Sequence, residues 1–103
     1  MKINKTFIED LIIIEPSLFK DGRGFFYESY NKKKLDKKIK IVFVQDNESK
    51  SIKGVIRGLH FQAPPFEQTK LVSCVSGNIL DVAVDLRTNS KTYGKSFSIE
   101  LSS

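Results

Sequence analysis

The sequence holds one histidine, His60, within the run Arg57-Gly58-Leu59-His60-Phe61-Gln62. Imidazole is the side chain that exchanges a proton most readily near neutrality. His60 is therefore the natural general base, suited to removing a proton from a carbon next to a carbonyl. Such a carbon acid is weak, so the oxygen of the developing enolate needs a donor or a cation already in place. Lys70 and Arg57 are the candidates for that task. A lone histidine also has an ordinary structural reading, as a packed side chain. Arg57 and His60 are three residues apart, and a regular strand sends such a pair to opposite faces. The functional reading thus requires a bulge or bend at Gly58.

Other segments offer weaker signals. Asp81 and Asp85 alternate with Ile79 and Ala83 along one face of a strand whose other face, Leu80, Val82, Val84 and Leu86, is wholly apolar. Carboxylates opposite a core face ordinarily point to solvent. In a barrel the same face lines a cavity, where Asp81 can orient a base or hold a sugar hydroxyl. Asp21-Gly22-Arg23-Gly24 reads either as a plain turn with a surface arginine or as a diphosphate clamp, because a guanidinium pairs with phosphate oxygens bidentately. Gln45-Asp46-Asn47 supplies amides able to read a sugar or base edge. The single cysteine, Cys74, forms no internal disulfide and is expected as a small strand residue. One histidine and one cysteine cannot build a His/Cys metal cluster.

These groups need a frame, and the pattern along the chain is mostly β. Strands are expected at 7–15, ending at Pro16, then at 25–30, 41–46, 54–62, 71–75, 79–86 and 96–101. Ser76-Gly77-Asn78 is expected to turn a hairpin between the fifth and sixth of these. Asn31 can cap the one expected helix, 31–40, with Leu35 and Ile39 four apart. About seven closely spaced strands and one helix imply a sandwich or barrel. The 103 residues suffice for one domain, and we read 1–103 as a single domain. The strand pattern runs to the end of the chain, which leaves an edge for a second chain or for missing sequence to cover.

Charge is concentrated. The formal net charge is +5, and six lysines lie within residues 32–40. Such a run is ordinarily a solvated face. A nucleic-acid patch would need the aromatic interleaving or recognition motif that this run lacks. A positive field also draws small anions such as a nucleoside diphosphate. No apolar run approaches the roughly 20 residues of a membrane-spanning helix, and no signal peptide is evident. We expect a cytoplasmic protein with neither nucleic-acid nor membrane partners.

Taken together, the segments resemble one family. Asp21 to Ser29 resembles the D-x-R-G-F-F-x-E-[ST] signature of the dTDP-4-dehydrorhamnose 3,5-epimerases. Val44 to Ser51 resembles that family's V-Q-D-N-x-S segment, and Gly54 to Gln62 its G-V-x-R-G-L-H-[YF]-Q strand. Lys70-Leu71-Val72 and the stretch from Gly77 to Arg87 continue the likeness in order, so that it covers about 2–101. It implies an all-β, cupin-type jelly roll with one short peripheral helix, usually a homodimer, using no metal and no organic cofactor. The second histidine that a metal-binding cupin places near the first is absent, and Gln62 stands two residues after His60.

The implied substrate is a dTDP-4-keto-6-deoxy sugar, dTDP-4-dehydro-6-deoxy-D-glucose, epimerised at C3 and C5 on the way to dTDP-L-rhamnose and cell-surface polysaccharide such as lipopolysaccharide O-antigen. By the same resemblance His60 is the base, Lys70 faces the keto oxygen, and Asp81 is an active-site carboxylate. Arg57, Gln45, Asp46 and Asn47 contact substrate, and Arg23 and Glu28 bind the nucleotide. Glu48 stands where many members have histidine. The family's tyrosine proton donor, a second histidine and the carboxylate that orients the base belong to a later half, so the chain is expected to be shortened at its C-terminal side. Two other readings stay open: an epimerase inverting a single centre, and a non-catalytic nucleotide-sugar-binding fragment.

Overall fold

The computed structural model describes residues 1–103. Its regular structure is six short strands and one helix: β1 (Lys2–Lys5), β2 (Ile12–Glu15), β3 (Leu18–Asp21), β4 (Gly24–Tyr27), α1 (Lys32–Asp36), β5 (Asn78–Val84) and β6 (Ser96–Ser102). Consecutive strands pair, β1 with β2, β3 with β4 and β5 with β6, all antiparallel. The chain divides into two compact units: Met1–Asn31 with Val72–Ser103, and Lys32–Leu71.

In the first unit, the expected strand over 7–15 is instead the turn and second arm of a hairpin. Isoleucines at 3 and at 12–14 favour the two arms, where Ile3 faces Ile14. The hydroxyl of Thr6 accounts for the interruption. It accepts from the Ile8 N–H (3.2 Å) and donates toward the Ile8 and Leu11 carbonyls (3.0 and 2.9 Å). Asp10, at φ 67°, completes the reversal in a conformation that aspartate tolerates better than most residues. Ile8 is thereby buried, and Phe7 meets Phe97 of β6 edge-on, ring centroids 6.0 Å apart.

The β3–β4 hairpin turns at Gly22-Arg23, with Asp21 opposite Gly24. The Asp21 carboxylate accepts the Arg23 backbone N–H at 2.8 Å, the local bond that makes aspartate a turn residue. Every residue of β3 and β4 is exposed, including Phe19, Phe25 and Phe26.

β5 and β6 form the longest ladder, from Asn78 opposite Ser102 to Val84 opposite Ser96. Here the expected burial is largely reversed, although Val84 of the expected core face is half-buried. Leu80 and Leu86, assigned to the apolar core face, are 70% and 51% exposed. Asp81 and Ala83 are half-buried and Asp85 is buried. The covered face of β6 is Phe97, Ile99 and Leu101, which stand opposite Ala83, Asp81 and Ile79. Sequence alternation reports two faces, and packing decides which of them is covered. The expected 71–75/79–86 hairpin does not form: Asn78 to Val84 pair with β6, and 71–75 carries no ladder.

In the second unit, the helix is shorter than the expected 31–40. α1 has five residues, buries Leu35 and carries a Lys32–Asp36 ion pair. The Lys38 and Ile39 N–H groups both bond the Leu35 carbonyl (2.7 Å each), and the helix stops there. The crowding of lysines gives the helix no reason to continue, since like charges one turn apart repel. The expected strands 41–46 and 54–62 carry no ladder in this unit, and neither does 71–75 at its boundary. Their β-branched composition favours a strand, but a strand needs a neighbour, and none of the three sheets supplies one. Residues 44–73 are all exposed.

Isolated two-stranded sheets are marginal, and protection from exchange follows ladder length and cover. We expect hydrogen–deuterium exchange to be slowest at the β5 and β6 amides and close to unprotected over 44–73. Equal protection across both stretches would contradict this description.

Candidate functional site

His60 and Lys70 line one pocket in the second unit, of about 260 Å³, together with Phe61, Gln62, Glu67 and Gln68. The base candidate and the cation candidate stand ten positions apart, and the segment between them brings both to one pocket. The turn that begins this return is closed by the Phe66 N–H bonding the Ala63 carbonyl at 3.0 Å. An imidazole and an ammonium flanking one space suit proton removal beside a carbonyl whose oxygen takes up negative charge. Glu67 adds a carboxylate to the lining, which the sequence reading did not single out.

The bend required at Gly58 is present. Gly58 has φ 117°, a conformation that L side chains rarely adopt, and no strand runs through 54–62. A Cβ there would also stand 3.6 Å from the His60 backbone nitrogen. Arg57 is not among the groups lining the His60 pocket. Its guanidinium donates to Ser51 Oγ (2.8 Å) and to the Lys50 carbonyl (3.1 Å), which ties the Arg57 segment to 50–51. Lys70 is thus the cation that shares the cavity with His60. Gln45 and Asn47 meet through an amide–amide bond of 3.3 Å, with Asp46 exposed between them.

In the first unit, the β3–β4 hairpin forms a second cleft, of about 340 Å³, lined by Phe19, Lys20, Asp21, Arg23, Gly24, Phe25 and Phe26. The Arg23 side chain is 91% exposed and pairs with its own turn through Asp21 Oδ2 (2.6 Å). That guanidinium bond, reinforced by the Arg23 backbone N–H, holds the Asp21 carboxyl below its usual range. Phe25 and Tyr27 stack at 6.1 Å, on one face of β4. Glu28 follows β4 and accepts from the Asn31 side-chain amide at 3.0 Å. Asp81 lies mid-strand in β5 opposite Ile99 and is half-buried. Cys74 is half-buried rather than part of a strand, its Sγ 3.4 and 3.3 Å from the Ser76 and Gly77 carbonyls. No cluster of three or more His, Cys, Asp or Glu side chains is arranged to hold a metal ion.

One ionic group was misjudged from sequence. Asp85, expected at the surface, has a side chain only 1% exposed. It accepts from Arg87 Nε and Nη2 (3.0 and 3.1 Å), the Arg87 backbone N–H (3.0 Å), Ser90 Oγ (2.6 Å) and Thr92 Oγ1 (2.6 Å). Arg87 reaches onward to Asp10 Oδ2 (3.2 Å) and the Glu9 carbonyl (2.9 Å). The spacing Asp85-x-Arg87, with hydroxyls at 90 and 92, was the available signal. With its lone pairs filled, Asp85 is an anchor and not a base. The Arg87 bond, then those of Ser90 and Thr92, hold its carboxyl well below the usual carboxylate range.

Comparison with known proteins places these observations in a family. The family model described as dTDP-4-dehydrorhamnose 3,5-epimerase matches residues 5–103. A curated dTDP-4-dehydrorhamnose 3,5-epimerase from Shigella flexneri is 53% identical over 104 residues, covering 99% of this chain and 58% of that protein. The crystal structure of dTDP-4-dehydrorhamnose 3,5-epimerase from Bacillus anthracis str. Ames with TDP and PPi bound superposes with a TM-score of 0.93 at 48% identity, over 98% of this chain and 59% of that one. That of dTDP-6-deoxy-D-glucose-3,5-epimerase from Legionella pneumophila Philadelphia 1, in complex with dTDP-4-keto-L-rhamnose, gives 0.90 at 48% identity, over 98% and 54%. The fold class is therefore all-β, the cupin-type jelly roll of these neighbours, with one short helix. The chain belongs to the dTDP-4-dehydrorhamnose 3,5-epimerase family. It spans somewhat under three fifths of the length of the relatives it matches.

The Asp85 anchor generates a prediction with a definite sign. Its folded-state carboxyl binds a proton less readily than the unfolded one. Its stabilising contribution is whole above the unfolded value, about 4, and fades as pH falls below that. Thermal melts should therefore shift downward from about pH 5 to about pH 3. Asp85→Asn should melt lower at neutral pH and change less across that window. An unaltered pH dependence in the variant would show that another group titrates.

Proposed function

We propose that this chain carries the proton-abstracting part of a dTDP-4-dehydrorhamnose 3,5-epimerase, acting on dTDP-4-dehydro-6-deoxy-D-glucose to give dTDP-4-dehydro-L-rhamnose. The observation that carries the reading is the sharing of one pocket by His60 and Lys70. The 4-keto group of the sugar acidifies the protons on C3 and C5. His60 removes such a proton as general base, and the electron pair moves into the enolate. The Lys70 ammonium faces the enolate oxygen and stabilises the charge as it develops. Return of a proton to the opposite face inverts the centre. Asp81 serves as an active-site carboxylate. Arg57 and the Gln45-Asp46-Asn47 segment contact the substrate, and Arg23 and Glu28 bind the nucleotide. The bound TDP of the Bacillus anthracis neighbour and the bound keto sugar of the Legionella pneumophila one support that choice of ligand.

The same reading treats 1–103 as one cupin-like domain that works without metal or organic cofactor. It assigns the protein to the cytoplasm and to the supply of dTDP-L-rhamnose for cell-surface polysaccharide. No helix is long and apolar enough to cross a membrane. A homodimer joined through the N-terminal strands fits the β3–β4 hairpin, whose Phe19, Phe25 and Phe26 are all more than 60% exposed.

The test of the chemistry is deuterium entry from heavy water into the 4-keto sugar, followed by NMR. His60→Ala should abolish entry at C3 and C5, and Lys70→Ala should slow it about a hundredfold or more, as for loss of an oxyanion donor. Entry that survives His60→Ala would show that the base is another group. For the nucleotide, calorimetry with thymidine diphosphate should show Arg23→Ala binding about tenfold or more weaker, the cost of a lost charge-assisted hydrogen bond. An unchanged affinity would remove Arg23 from the diphosphate site.

A further inference from the structure

The net charge of the chain is gathered in one place. Residues 32–40 hold six lysines and one aspartate, and their formal net charge of +5 equals that of the whole chain. The second unit, 32–71, carries ten basic and four acidic side chains, against seven and eight in the rest of the chain. All six lysines of the run are exposed, and Leu35 is the buried residue among them. Their crowding does not serve the helix. Like charges a turn apart repel, and α1 ends after five residues. Asp36, ion-paired with Lys32, is the one acidic side chain between Glu28 and Asp46. A concentration of solvated positive charge that contributes nothing to the local fold acts outward, through its field.

The same unit holds the pocket of His60 and Lys70. A folded unit of that length has a radius of gyration of about 9 Å. The field of exposed charge reaches about 30 Å at 10 mM salt, and only about 8 Å at physiological ionic strength. At low salt the pocket therefore lies within the field of the lysines, whichever way it faces on the unit. The ligand of the proposed function is an anion, a sugar joined to a nucleoside diphosphate. A field of opposite sign raises the rate at which such a ligand arrives, and it does so without contact, so the lysines stay in water as their exposure requires. We propose that the lysine run 32–40 is an electrostatic steering surface, which speeds the arrival of an anionic nucleotide sugar at the His60–Lys70 pocket of its own unit and leaves the bound ligand's rate of departure unchanged. The inference takes its ligand from the proposed function and adds a role for residues outside the pocket.

The experiment is stopped-flow binding of dTDP-glucose, fluorescently labelled on its deoxyribose, to the full 103-residue chain. That sugar has no keto group, so binding proceeds without proton chemistry. Association and dissociation rates are read at about 10 mM and about 300 mM salt. Three proteins are compared: the native chain, one with Lys33, Lys37, Lys38 and Lys40 all changed to Gln, and one with the same four changed to Arg. The native association rate should fall about tenfold or more from low to high salt. The Gln variant should associate about tenfold more slowly than the native chain at low salt, match it at high salt, and dissociate at the native rate. The Arg variant, which keeps the charge, should behave as the native chain does. Equal association rates of the Gln variant and the native chain at low salt would overturn the inference. So would a loss that appears in the dissociation rate, which would make the lysines direct contacts. A loss shared by the Gln and Arg variants would also overturn it, since the role would then be structural. A native chain that binds none of the labelled sugar would instead sink the proposed function, and the steering with it.

Discussion

Solvent scarcely reaches the Asp85 carboxylate, and the organisation of the first unit follows from how it is satisfied. An ionised carboxylate taken out of water is tolerated only when paired and hydrogen-bonded. Here the pairing comes from the loop that follows β5, which winds back so that Arg87, Ser90 and Thr92 all donate to Asp85. The Asp85 backbone joins in: its N–H bonds the Lys95 carbonyl and its carbonyl accepts from Gly94. The loop therefore delivers β6 in register beside β5. Arg87 extends the hold to the turn between β1 and β2 through Asp10 and Glu9, residues almost eighty positions away in sequence. A single buried charge thus ties two of the three hairpins, and it does so where buried apolar side chains are scarce: Ile8 in this unit and Leu35 in the other.

The second unit is organised on the opposite principle. Its short helix buries Leu35, and beyond it residues 44–71 are all exposed. This is also the stretch that carries His60, Lys70, Arg57 and Gln45-Asp46-Asn47. Local devices position these side chains one pair at a time: the bend at Gly58, the tie of Arg57 to Ser51 and Lys50, the turn at 63–66. Preorganisation of a site ordinarily comes from surrounding elements that lock the catalytic rotamers. Here His60 and Lys70 line one pocket on a stretch whose residues are all exposed.

What was legible in the sequence was local or collective. The Asp21–Gly24 turn, the strands near 79–86 and 96–101, and the helix start were readable because their signals lie within a few residues of each other. The family was readable because several motifs recur in order, although each is weak alone. Pairings were not legible. Seven to fifteen reads as one apolar run, and only the Thr6 hydroxyl, turned onto its own backbone, shows that it folds into a hairpin. The strands at 41–46, 54–62 and 71–75 have the right composition, but propensity cannot supply a neighbour. The face of β5 was misassigned for a related reason: alternation of aspartate with apolar residues looks like exposure until the donors at 87, 90 and 92 are seen to converge on Asp85.

The central claim is that the base and the enolate-stabilising cation of a keto-sugar epimerase both lie within these 103 residues. It is tested most directly by comparing, in one heavy-water sample of the native chain with dTDP-4-dehydro-6-deoxy-D-glucose, the rate at which deuterium enters C3 and C5 with the rate at which inverted sugar accumulates. The account predicts deuterium entry at the carbons flanking the keto group, with inversion lagging behind it. A sample in which thymidine diphosphate binds the chain and yet no deuterium enters the sugar would contradict it.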